Sequence, residues 1–438
     1  MVKKVVIVGA GPSGVLLAHY LLRRGDKYQI DIYERRSDPR IVPFSKSRTY
    51  PLTLSERGIT ALSKIAGLLE AVKAMSVEIT GTISHQTNGK TRFTPRRKPF
   101  LALDRTNLAI ALLKKLSENY GNNRINIHFN HKCIQADFDN KIVKFHKVTE
   151  EQPAGMSADL TINYDLLIGA DGARSAVRES FLSTEFFEFE QKYVPFDRKS
   201  IFLPPPDEEK QDIQLQSGCV HSWRIADGTS LLILHQPDGS MSGAIRLRRD
   251  RNQVVNLSTK EEVLKFFQEN FPELGQLMPE SEAEAFLNRP ITSVLTIRCS
   301  RYHYGDTVLL IGDAAHSVSP TIGQGCNAAL EDVEVFDNLL DEYSDNVGEA
   351  IKQYTIRRKP DAHALAELGD NVFPLSKALI IEFILRQRFA KILHQLFPKH
   401  FSPSVSELLF EGKVPYSEIL NLYKGWTSKV KQSNEKFL

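Results

Sequence analysis

The sequence predicts an α/β protein, because two apolar segments typical of buried strands each run into a glycine turn and then a helix. The first segment, Lys4–Val8, precedes Gly9–Gly14 (GAGPSG), and an apolar helical pattern follows. The second segment, Val308–Ile311, precedes Gly312-Asp313 and a longer loop, before helical spacing resumes at Asn327. Strand, glycine turn and helix in this order are typical of a parallel sheet covered by helices.

The N-terminal turn has the spacing of the dinucleotide-binding fingerprint GxGxxG, in its required context. Gly9 permits the tight turn, Gly11 lets the backbone approach a pyrophosphate, and Gly14 lets helix and strand pack closely. The next predicted strand ends at Glu34, which lies 20 residues after Gly14, where a carboxylate reaches the 2′-hydroxyl of a ribose. Arg35 suggests a 2′-phosphate or is a solvated side chain, and Glu34 argues against the phosphate. The fingerprint therefore predicts FAD or NAD without choosing between them.

The composition is that of an ordinary globular protein. The chain has 438 residues, of which 42% are hydrophobic and 25% charged, and this length predicts two or three domains. The net charge of +3 gives no basis for a nucleic-acid partner. Four widely spaced cysteines fit neither a metal site nor a disulfide framework, so we expect a reducing, cytoplasmic compartment and no metal.

The sequence contains no segment that is apolar over the length of a bilayer, and its first strand begins too early for a signal peptide. The most apolar stretch, Ala378–Leu385, is interrupted by Glu382 and followed by Arg386 and Arg388. We interpret it as a packed helix, with a peripheral membrane contact as the alternative.

Two later motifs choose between the dinucleotides. A predicted strand, Asp165–Ile168, runs into Gly169–Arg178 (GADGARSAVR), and Gly312–Asp332 has the sequence GDAAHSVSPTIGQGCNAALED. Together with GAGPSG, these motifs resemble the single-component FAD-dependent aromatic hydroxylases related to p-hydroxybenzoate hydroxylase. Within that family the chain is most similar to the kynurenine 3-monooxygenases. The resemblance implies a Rossmann-like FAD-binding domain, an interleaved antiparallel-sheet substrate domain and C-terminal helices.

The strand pattern and the resemblance together divide the chain. We expect a discontinuous FAD-binding domain over residues 1–76, 101–192 and 297–360. Two inserts, residues 77–100 and 193–296, would form the substrate domain, and residues 361–438 would be helical. The first insert contains a favourable hairpin turn at Asn88-Gly89, and the second contains strand patterns separated by Asp-Gly turns.

The resemblance implies an FAD held by all three motifs. The expected cofactor contacts are Gly9, Gly11, Pro12, Ser13, Gly14 and Glu34 on the ADP half, Arg105 beside the pyrophosphate, Cys133 and Ile134 beside the adenine, Asp313 on the ribityl chain, Gly323, Gly325, Cys326 and Asn327 at the flavin, and Arg35, Arg48 and Asp171 elsewhere in the site. The motif around Asp171 would also serve the nicotinamide donor, NADPH or NADH. This donor would bind transiently, since no second GxGxxG precedes a helix.

The same resemblance implies the reaction. NAD(P)H would reduce the flavin, O2 would give a flavin C4a-hydroperoxide, and one oxygen atom would enter an aromatic or other apolar small molecule by hydroxylation or epoxidation. No side chain is assigned a catalytic role, and Pro320, Gly323 and Gly325 would shape the loop around the flavin. Backbone N–H groups at the following helix start would stabilise the anionic reduced flavin, with the helix dipole adding about 1 kcal/mol.

The expected substrate residues depart from those of the kynurenine 3-monooxygenases. Thr82 stands where the family has a carboxylate-binding arginine, and Arg96 stands where it has a tyrosine. Pro320-Thr321-Ile322 replaces a proline followed by two phenylalanines. Without a charged fork for an amino-acid carboxylate, kynurenine is not the expected substrate, and a less polar aromatic compound is.

Three other residues are candidates for the functional site, and for each of them a packing role is the alternative. His221 and Trp223 lie in a predicted strand and would line the substrate pocket or simply pack in the sheet, which the alternation of strand residues favours. His316 lies within the third motif and would be a base or, as we favour, a packing residue.

Other flavoprotein functions remain as alternatives, because fold does not fix chemistry. A reductase of the geranylgeranyl-reductase type and a flavin-binding protein without turnover both keep the three motifs. A flavin-dependent halogenase would carry a Trp-x-Trp-x-Ile-Pro stretch, and the two tryptophans of this chain, Trp223 and Trp426, do not form one.

Overall fold

The computed structural model describes residues 2–42, 49–86, 89–121, 123–148, 159–205, 215–250 and 252–436. The strands are β1 (Lys3–Val8), β2 (Tyr28–Tyr33), β3 (Pro51–Leu54), β4 (Val77–His85), β5 (Thr91–Asp104), β6 (Ile125–His128), β7 (His131–Asp137), β8 (Ile142–Lys147) and β9 (Leu160–Asn163). They continue with β10 (Leu166–Gly169), β11 (Phe189–Leu203), β12 (Cys219–Arg224), β13 (Ser230–His235), β14 (Met241–Arg248), β15 (Thr292–Cys299), β16 (His303–Tyr304) and β17 (Val308–Leu310).

The α-helices are α1 (Pro12–Leu22), α2 (Glu56–Ser63), α3 (Leu68–Lys73), α4 (Arg105–Asn119), α5 (Ala176–Ser180), α6 (Lys260–Asn270), α7 (Pro272–Leu277) and α8 (Glu280–Asn288). They continue with α9 (Asp313–His316), α10 (Gly325–Glu342), α11 (Val347–Asn371), α12 (Lys377–Leu396), α13 (Val405–Glu411), α14 (Tyr416–Leu422) and α15 (Lys424–Asn434). Short 3₁₀ turns lie at Phe181–Ser183, Val254–Asn256 and Pro320–Ile322. The predicted α/β class is confirmed.

A mainly parallel sheet has the strand order β16-β17-β10-β1-β2-β6, in which β16 runs antiparallel to β17. Its central strands are buried apolar runs, as expected for a sheet covered on both faces. Val8 pairs with Tyr33 on one side and Gly169 on the other, and Gly169 pairs with Leu310. The carboxyl ends of these strands therefore lie level, and the turns that follow them meet at one edge of the sheet.

A second sheet has the order β15-β11-β14-β13-β12-β4-β5-β3. We expect this sheet to be antiparallel, and its neighbouring strands are, except that β12 and β4 are parallel. The two belong to different inserts, so no tight hairpin fixes their relative direction. Strand β11 begins at Phe189 and β15 ends at Cys299, a few residues beyond the insert boundaries predicted from the sequence.

The hairpin of the first insert extends further than its sequence pattern suggests. The pattern predicts strands over residues 78–85 and 90–94, whereas β5 continues to Asp104 and its register against β4 shifts between Ile79 and Gly81. The far part of β5 pairs with β3, a long-range partner that the local pattern does not contain. Gly89 has a φ of 77°, the positive value that the predicted turn needs, and Asn88 lies outside the described residues.

Helices cover both sheets and complete the C-terminal part. Helix α1 packs against α4 and α10, and α6, α7 and α8 form a separate hydrophobic core with the second sheet. Helix α11 runs through Pro360 without ending there, so residue 360 does not mark a break between elements. None of the described helices combines the length and the apolar character that crossing a bilayer requires.

Candidate functional site

The GxGxxG turn adopts the conformation that its glycines predict and leaves a helix N-terminus free. Gly9 has a φ of 106°, and a Cβ there would lie 2.5 Å from the carbonyl oxygen of Ala170. A Cβ on Gly14 would collide with the carbonyl oxygen of Gly9. Helix α1 starts at Pro12, its N-cap Gly11 has no side-chain cap, and its first turn carries no acidic residue. The first N–H groups of α1 are therefore available to an anionic ligand.

Glu34 lies beside this turn, directly after β2. Its carboxylate accepts hydrogen bonds from the N–H groups of Ala10 (2.9 Å) and Arg36 (3.0 Å). A small cavity of about 70 Å³ adjoins it, and residues from several segments line this cavity: Gly9, Glu34, Arg35, Cys133, Asp171 and Arg174. Burial raises the pKa of the Cys133 thiol, so it stays protonated at neutral pH.

The turn after β10 forms the next wall. One carboxylate oxygen of Asp171 accepts a hydrogen bond from the N–H of Ala176 (2.7 Å), and the other is buried without a partner in the described structure. Burial raises the pKa of Asp171. Arg178 is buried and donates to the carbonyl oxygens of Ala173 (2.8 Å) and Ala314 (3.0 Å). Arg178 thus ties this turn to the loop after β17, and Asp171 keeps one oxygen for a ligand.

Asp332 of α10 holds the turn that carries Asp313. Its carboxylate accepts hydrogen bonds from the N–H of Gly312 (2.8 Å), from His316 Nε2 (2.7 Å) and from Arg358 Nε (2.6 Å). Burial alone would raise the pKa of Asp332, but its pairs with His316 and Arg358 hold that pKa well below its usual range. His316 is therefore committed to this clamp, which agrees with its interpretation as a packing residue.

Asp313 faces the space that this turn encloses. Its side chain is accessible from a cavity while protein atoms surround it on its other sides, and burial raises the pKa of its carboxyl. Gly312 has a φ of 59°, and a Cβ there would lie 2.9 Å from Ser13 Oγ of the first turn. The two glycine turns are therefore in direct proximity.

The segment Gly312–Gly325, named the glycine loop from here on, ends at a second free helix N-terminus. Gly323 has a φ of 62°, and α10 then starts at Gly325 without a side-chain cap or an acidic residue in its first turn. The buried amide of Asn327 accepts from the N–H of Ser55 (2.8 Å) and donates to the carbonyl oxygen of Thr53 (2.9 Å). This side chain fixes the loop against β3, so its backbone N–H is what it can offer a ligand.

A cavity of about 400 Å³, named the first cavity, reaches both helix N-termini. The residues that line it at the two turns are Gly11, Pro12, Ser13, Arg105, Asp313, Pro320, Gly323, Gly325 and Cys326. Leu232 and Leu234 of β13 and residues 292–295 contribute from the second sheet. Among the residues that the structure describes, no group of His, Cys, Asp or Glu side chains is arranged to hold a metal ion.

Comparison with known proteins places this site in a family. Residues 3–368 match the family described as FAD binding domain. The chain is 34% identical over 381 residues to kynurenine 3-monooxygenase of Phaeosphaeria nodorum, an alignment that covers 84% of this chain and 77% of the other. It is 32% identical to kynurenine 3-monooxygenase of Legionella pneumophila, over 95% of this chain and 90% of the other. The chain belongs to the FAD-dependent aromatic hydroxylases.

Solved structures support the fold of this hydroxylase. The 2-methyl-3-hydroxypyridine-5-carboxylic acid oxygenase matches with a TM-score of 0.67 at 18% identity, over 84% of this chain and 90% of the other. PqsL of Pseudomonas aeruginosa matches with a TM-score of 0.61 at 20% identity, over 85% and 95%. The chain is an FAD-dependent monooxygenase, and NAD(P)H is the usual co-substrate of such enzymes.

The site of this hydroxylase fits an FAD on four structural grounds. Two uncapped helix N-termini suit the pyrophosphate and the flavin edge, and glycines stand where a Cβ would block the backbone approach. Asp171 keeps an unpartnered buried oxygen, and the small and first cavities together follow the turns of all three motifs. We therefore keep the cofactor contacts expected from the sequence as a proposal.

Some expected cofactor residues stand apart from these cavities. Ile134 is 43% exposed and does not line the small cavity, although its neighbour Cys133 does. Gly14 and Asn327 support the turns rather than line the first cavity. Arg48 lies outside the described residues.

The expected substrate residues are spread over several places. Pro320 lines the first cavity, Thr321 lines a neighbouring one, and Ile322 is buried in the C-terminal hydrophobic cluster. Thr82 pairs with Thr94 of β5, away from the lining of either cavity. The Arg96 guanidinium lies between the rings of Phe100 (4.2 Å) and Phe410 (5.1 Å), also outside both linings.

His221 and Trp223 take part in a polar network at the far side of the hairpin. His85 lies 3.0 Å from His221 Nδ1 and 3.2 Å from a carboxylate oxygen of Glu273, and its ring stacks on Trp223. Trp223 Nε1 donates to the same carboxylate (3.2 Å). Neither His221 nor Trp223 lines the first cavity, so the geometry favours the packing alternative.

Several residues of the site were not among the contacts expected from the sequence. Tyr50, Arg198 and Leu232 line the first cavity, and Gln324 is a buried N-cap whose side chain accepts from Tyr416 OH (3.2 Å). Leu232 lies in a strand that the sequence does predict, but strand alternation alone does not tell which face meets the cofactor. Arg198 of β11 and Tyr50, directly before β3, are distant in sequence but in contact, with the guanidinium 4.1 Å from the ring centre.

Proposed function

We propose that this monooxygenase transfers one oxygen atom of O2 to an aromatic or other apolar small molecule, by hydroxylation or epoxidation, and does not act on kynurenine. The observation that carries the proposal is that the free N-terminus of α10 and the apolar side chains of Leu232 and Leu234 line the same cavity, the first cavity. The first cavity thus combines a helix N-terminus, which would favour the negative charge of a reduced cofactor, with an apolar wall. The oxygen-activation route expected from the family resemblance is part of this proposal.

The chain's own contribution is electrostatic and steric. A bound FAD would supply the redox chemistry and the activation of O2. The N–H groups at residues 325–327 point from an uncapped helix start, so they favour negative charge on a group placed against them by about 1 kcal/mol or more. Leu232 and Leu234 keep water from the reacting group, which protects reactive species from hydrolysis.

The exclusion of kynurenine rests on the charges near the hairpin. Thr82 is neutral, and Arg96 stacks between two aromatic rings instead of reaching the first cavity. Burial lowers the pKa of Arg96 to about 10, although the nearby Glu411 acts to raise it. The pair therefore gives no charged fork for the amino-acid carboxylate of a substrate such as kynurenine.

The test uses the purified protein with its bound cofactor. NADPH and NADH oxidation and oxygen consumption are measured against a panel of phenols, anilines, aromatic acids and kynurenine, and products are identified by mass spectrometry. The proposal expects one class of aromatic compound to stimulate both rates at least tenfold and to gain one oxygen atom. Kynurenine should leave both rates at their basal level, and strong stimulation by it would overturn the exclusion.

Two other outcomes would replace the proposal. Anaerobic reduction of an alkene by the reduced holoenzyme, without oxygenated product, would indicate a reductase of the geranylgeranyl-reductase type. Ligand binding without NAD(P)H oxidation by any compound of the panel would indicate a flavin-binding protein without turnover. These assays separate the three functions because each scores a different product.

We also propose that helix α12 contacts a membrane surface. Large apolar side chains follow one another at helical spacing and are 47–65% exposed: Ile381, Leu385, Phe389, Ile392 and Leu396. The helix carries four Lys or Arg residues and one acidic residue, Glu382, which pairs with Arg386 and Lys429. An exposed apolar stripe with a cationic surround suits an anionic lipid surface better than water. The cytoplasmic location expected from the cysteines stays a prediction.

Vesicle binding tests the contact of α12. Cosedimentation with vesicles containing anionic phosphatidylserine should exceed that with neutral phosphatidylcholine vesicles, and Phe389→Glu should abolish the difference. Leu422→Glu, at another exposed apolar position (57% exposed), is the matched control and should bind like the unmodified protein. Concentration-dependent dimerisation that Phe389→Glu removes, without any vesicle binding, would assign the stripe to a second copy of the chain instead.

A further inference from the structure

A cavity of about 320 Å³, named the C-terminal cavity, lies between helix α12, the loop that follows it and the start of α15. Five of the residues that line it are aromatic: Phe383, Phe389, Phe401, Tyr423 and Trp426. None of the described residues lines both this cavity and the first cavity. The C-terminal cavity is therefore separate from the cofactor site and from the place of the proposed reaction.

The polar ends of two of these aromatic side chains are bound to backbone groups that do not line the cavity. Tyr423 OH donates to the carbonyl oxygen of Pro403 (2.9 Å), and Trp426 Nε1 donates to that of Val372 (2.9 Å). The ring of Phe383 stacks on that of Trp426, with 5.7 Å between the ring centres. The rings are therefore held in place and offer apolar surface to a ligand.

The cavity extends along α12. Its lining residues on this helix run from Phe383 to Leu393, which corresponds to about 15 Å along the helix axis. Its volume is at the lower end of the range for small-molecule sites. A cavity of this length and small volume suits an extended chain better than a fused ring system.

One cation lies at this apolar surface. Arg386 is the charged residue among the described lining residues, and its guanidinium lies 5.4 Å from the centre of the Trp426 ring. It pairs with Glu382 (2.9 Å), which also pairs with Lys429 (2.7 Å). An exposed ion pair of this kind contributes little to stability, and Lys429 can keep Glu382 paired when Arg386 turns to a ligand. Arg386 can therefore bind a carboxylate at the edge of the cavity.

The cavity reaches the surface at Phe389, which is 62% exposed and also belongs to the apolar stripe of α12. Leu385 and Ile392, about one turn before and after it, are exposed and lie outside the cavity lining. A chain that extends beyond the cavity would therefore still meet apolar side chains. Removal of such a chain from water favours binding.

We propose that the C-terminal cavity binds a fatty acid, with its carboxylate on Arg386 and its alkyl chain against the aromatic lining along α12. The ligand is a single molecule taken from solution, so this site goes beyond both the proposed oxygenation and the proposed contact of α12 with a membrane surface. The aromatic rings supply the apolar contact, and the excess of cations over carboxylates at Arg386, Lys429 and Glu382 selects an anionic end group.

Calorimetry with the FAD-loaded protein tests the assignment, with octanoate, decanoate and the neutral analogue decanol below their aggregation concentrations. Decanoate should bind at least tenfold more tightly than octanoate, since each buried CH2 group raises affinity about fourfold. Arg386→Gln should weaken decanoate binding at least fivefold and leave decanol within twofold. Arg388→Gln is the matched control, because Arg388 is exposed on the same helix but does not line the cavity, and it should bind decanoate like the unmodified protein.

Tryptophan fluorescence then locates the bound chain. Undecanoate with a bromine at its far end should quench Trp426, because bromine quenches a ring that it contacts. Trp426→Phe should remove most of the quenching, and Trp223→Phe, which leaves Trp426 as the sole tryptophan, should retain it. If Trp426→Phe does not fold, the Trp223→Phe protein decides.

Three results would overturn the proposal: absence of decanoate binding, decanol binding as tight as that of decanoate, and decanoate binding without quenching of Trp426. Vesicle binding without binding of decanoate would leave the stripe of α12 as a membrane contact and would also overturn the fatty-acid site. Because binding is scored without turnover and without vesicles, failure of the proposed oxygenation or of the membrane contact leaves this result interpretable.

Discussion

Substitution of Asp332 by asparagine tests whether a buried ionic clamp shapes the cofactor site. Asp332 accepts hydrogen bonds from Gly312, His316 and Arg358 at 2.6–2.8 Å and is completely buried. Asparagine has nearly the shape of aspartate but carries no charge. Its NH2 group would face one of the three hydrogen-bond donors and cannot accept a hydrogen bond from it. Gly312 precedes Asp313, so we expect the change to loosen the turn that presents Asp313 to FAD.

The expected loss of stability depends on the ion-pair partners that Arg358 keeps in the variant. Two charge-assisted hydrogen bonds are weakened, each worth about 1.5–3 kcal/mol. Arg358 keeps Glu331 (2.9 Å) and Asp361 (3.0 Å), so its charge stays compensated and the loss falls towards the lower end of the range for a broken buried pair. We expect Asp332→Asn to lower the free energy of unfolding by about 3 kcal/mol.

Urea denaturation followed by tryptophan fluorescence measures this loss, with Glu342→Gln as the matched control. Glu342 lies on the same helix and pairs with Arg357 at 2.6 Å, but both side chains are about half exposed, so the control should lose less than about 1 kcal/mol. The folded state holds the pKa of Asp332 below its value of about 4 in an unfolded chain. The stabilisation is therefore fully present above pH 4 and declines as the pH falls further. The difference in unfolding free energy between the unmodified protein and Asp332→Asn should therefore become smaller below pH 4. A loss below 1 kcal/mol with unchanged FAD content would refute the clamp.

Three other changes are expected to have separable effects. Asp313→Ala should lose most of its FAD, and full occupancy, measured by the absorbance of released flavin, would remove the ribityl assignment. Gly14→Val should fold poorly or lose FAD, because a Cβ collides with Gly9, whereas Gly25→Ala, in open space, should keep FAD despite the strain of its positive φ. His221→Phe should retain FAD and lose about 1–2 kcal/mol at pH 8. Burial, and to a smaller extent His85, lowers the pKa of His221 from 6.5 to about 4. The native protein therefore loses stability as the pH falls from 6.5 towards 4, and its difference in unfolding free energy from the variant should shrink over that range. A difference independent of pH would show that His221 does not titrate there.

The local parts of the fold were predictable because each depends on neighbouring residues. Lys4–Val8 and Val308–Ile311 are apolar runs that end in glycine turns, and the structure places strands at Lys3–Val8 and Val308–Leu310. The Gly9 and Gly14 positions follow from backbone sterics alone, since neither site has room for a Cβ. The three motifs occur in the order found in the FAD-dependent aromatic hydroxylases, and this resemblance, rather than geometry, indicated the cofactor.

The non-local parts were not predictable from pattern. The parallel pairing of β4 with β12 joins residues more than 130 positions apart, such as Thr82 and Val220, and no turn signal connects them. Trp223 and His221 were placed in a strand correctly, but their face depends on that pairing and on α7, which supplies Glu273. A strand assignment therefore gives two possible faces, and the tertiary register chooses between them.

The same limit explains why three arginines on one face of the second sheet have no signature in the sequence. Arg198, Arg224 and Arg246 lie in three different strands, and their local sequence does not show that they share a face. Their common face exists because β11, β14, β13 and β12 pair in register. Pro320 of the glycine loop lines the first cavity, whereas Thr321 lines the neighbouring cavity of about 460 Å³, which Arg224 and Arg246 also line. Thr321 and Ile322, where the sequence leads us to expect a departure from the kynurenine 3-monooxygenases, therefore lie in the wall of that neighbouring cavity and in the C-terminal hydrophobic cluster.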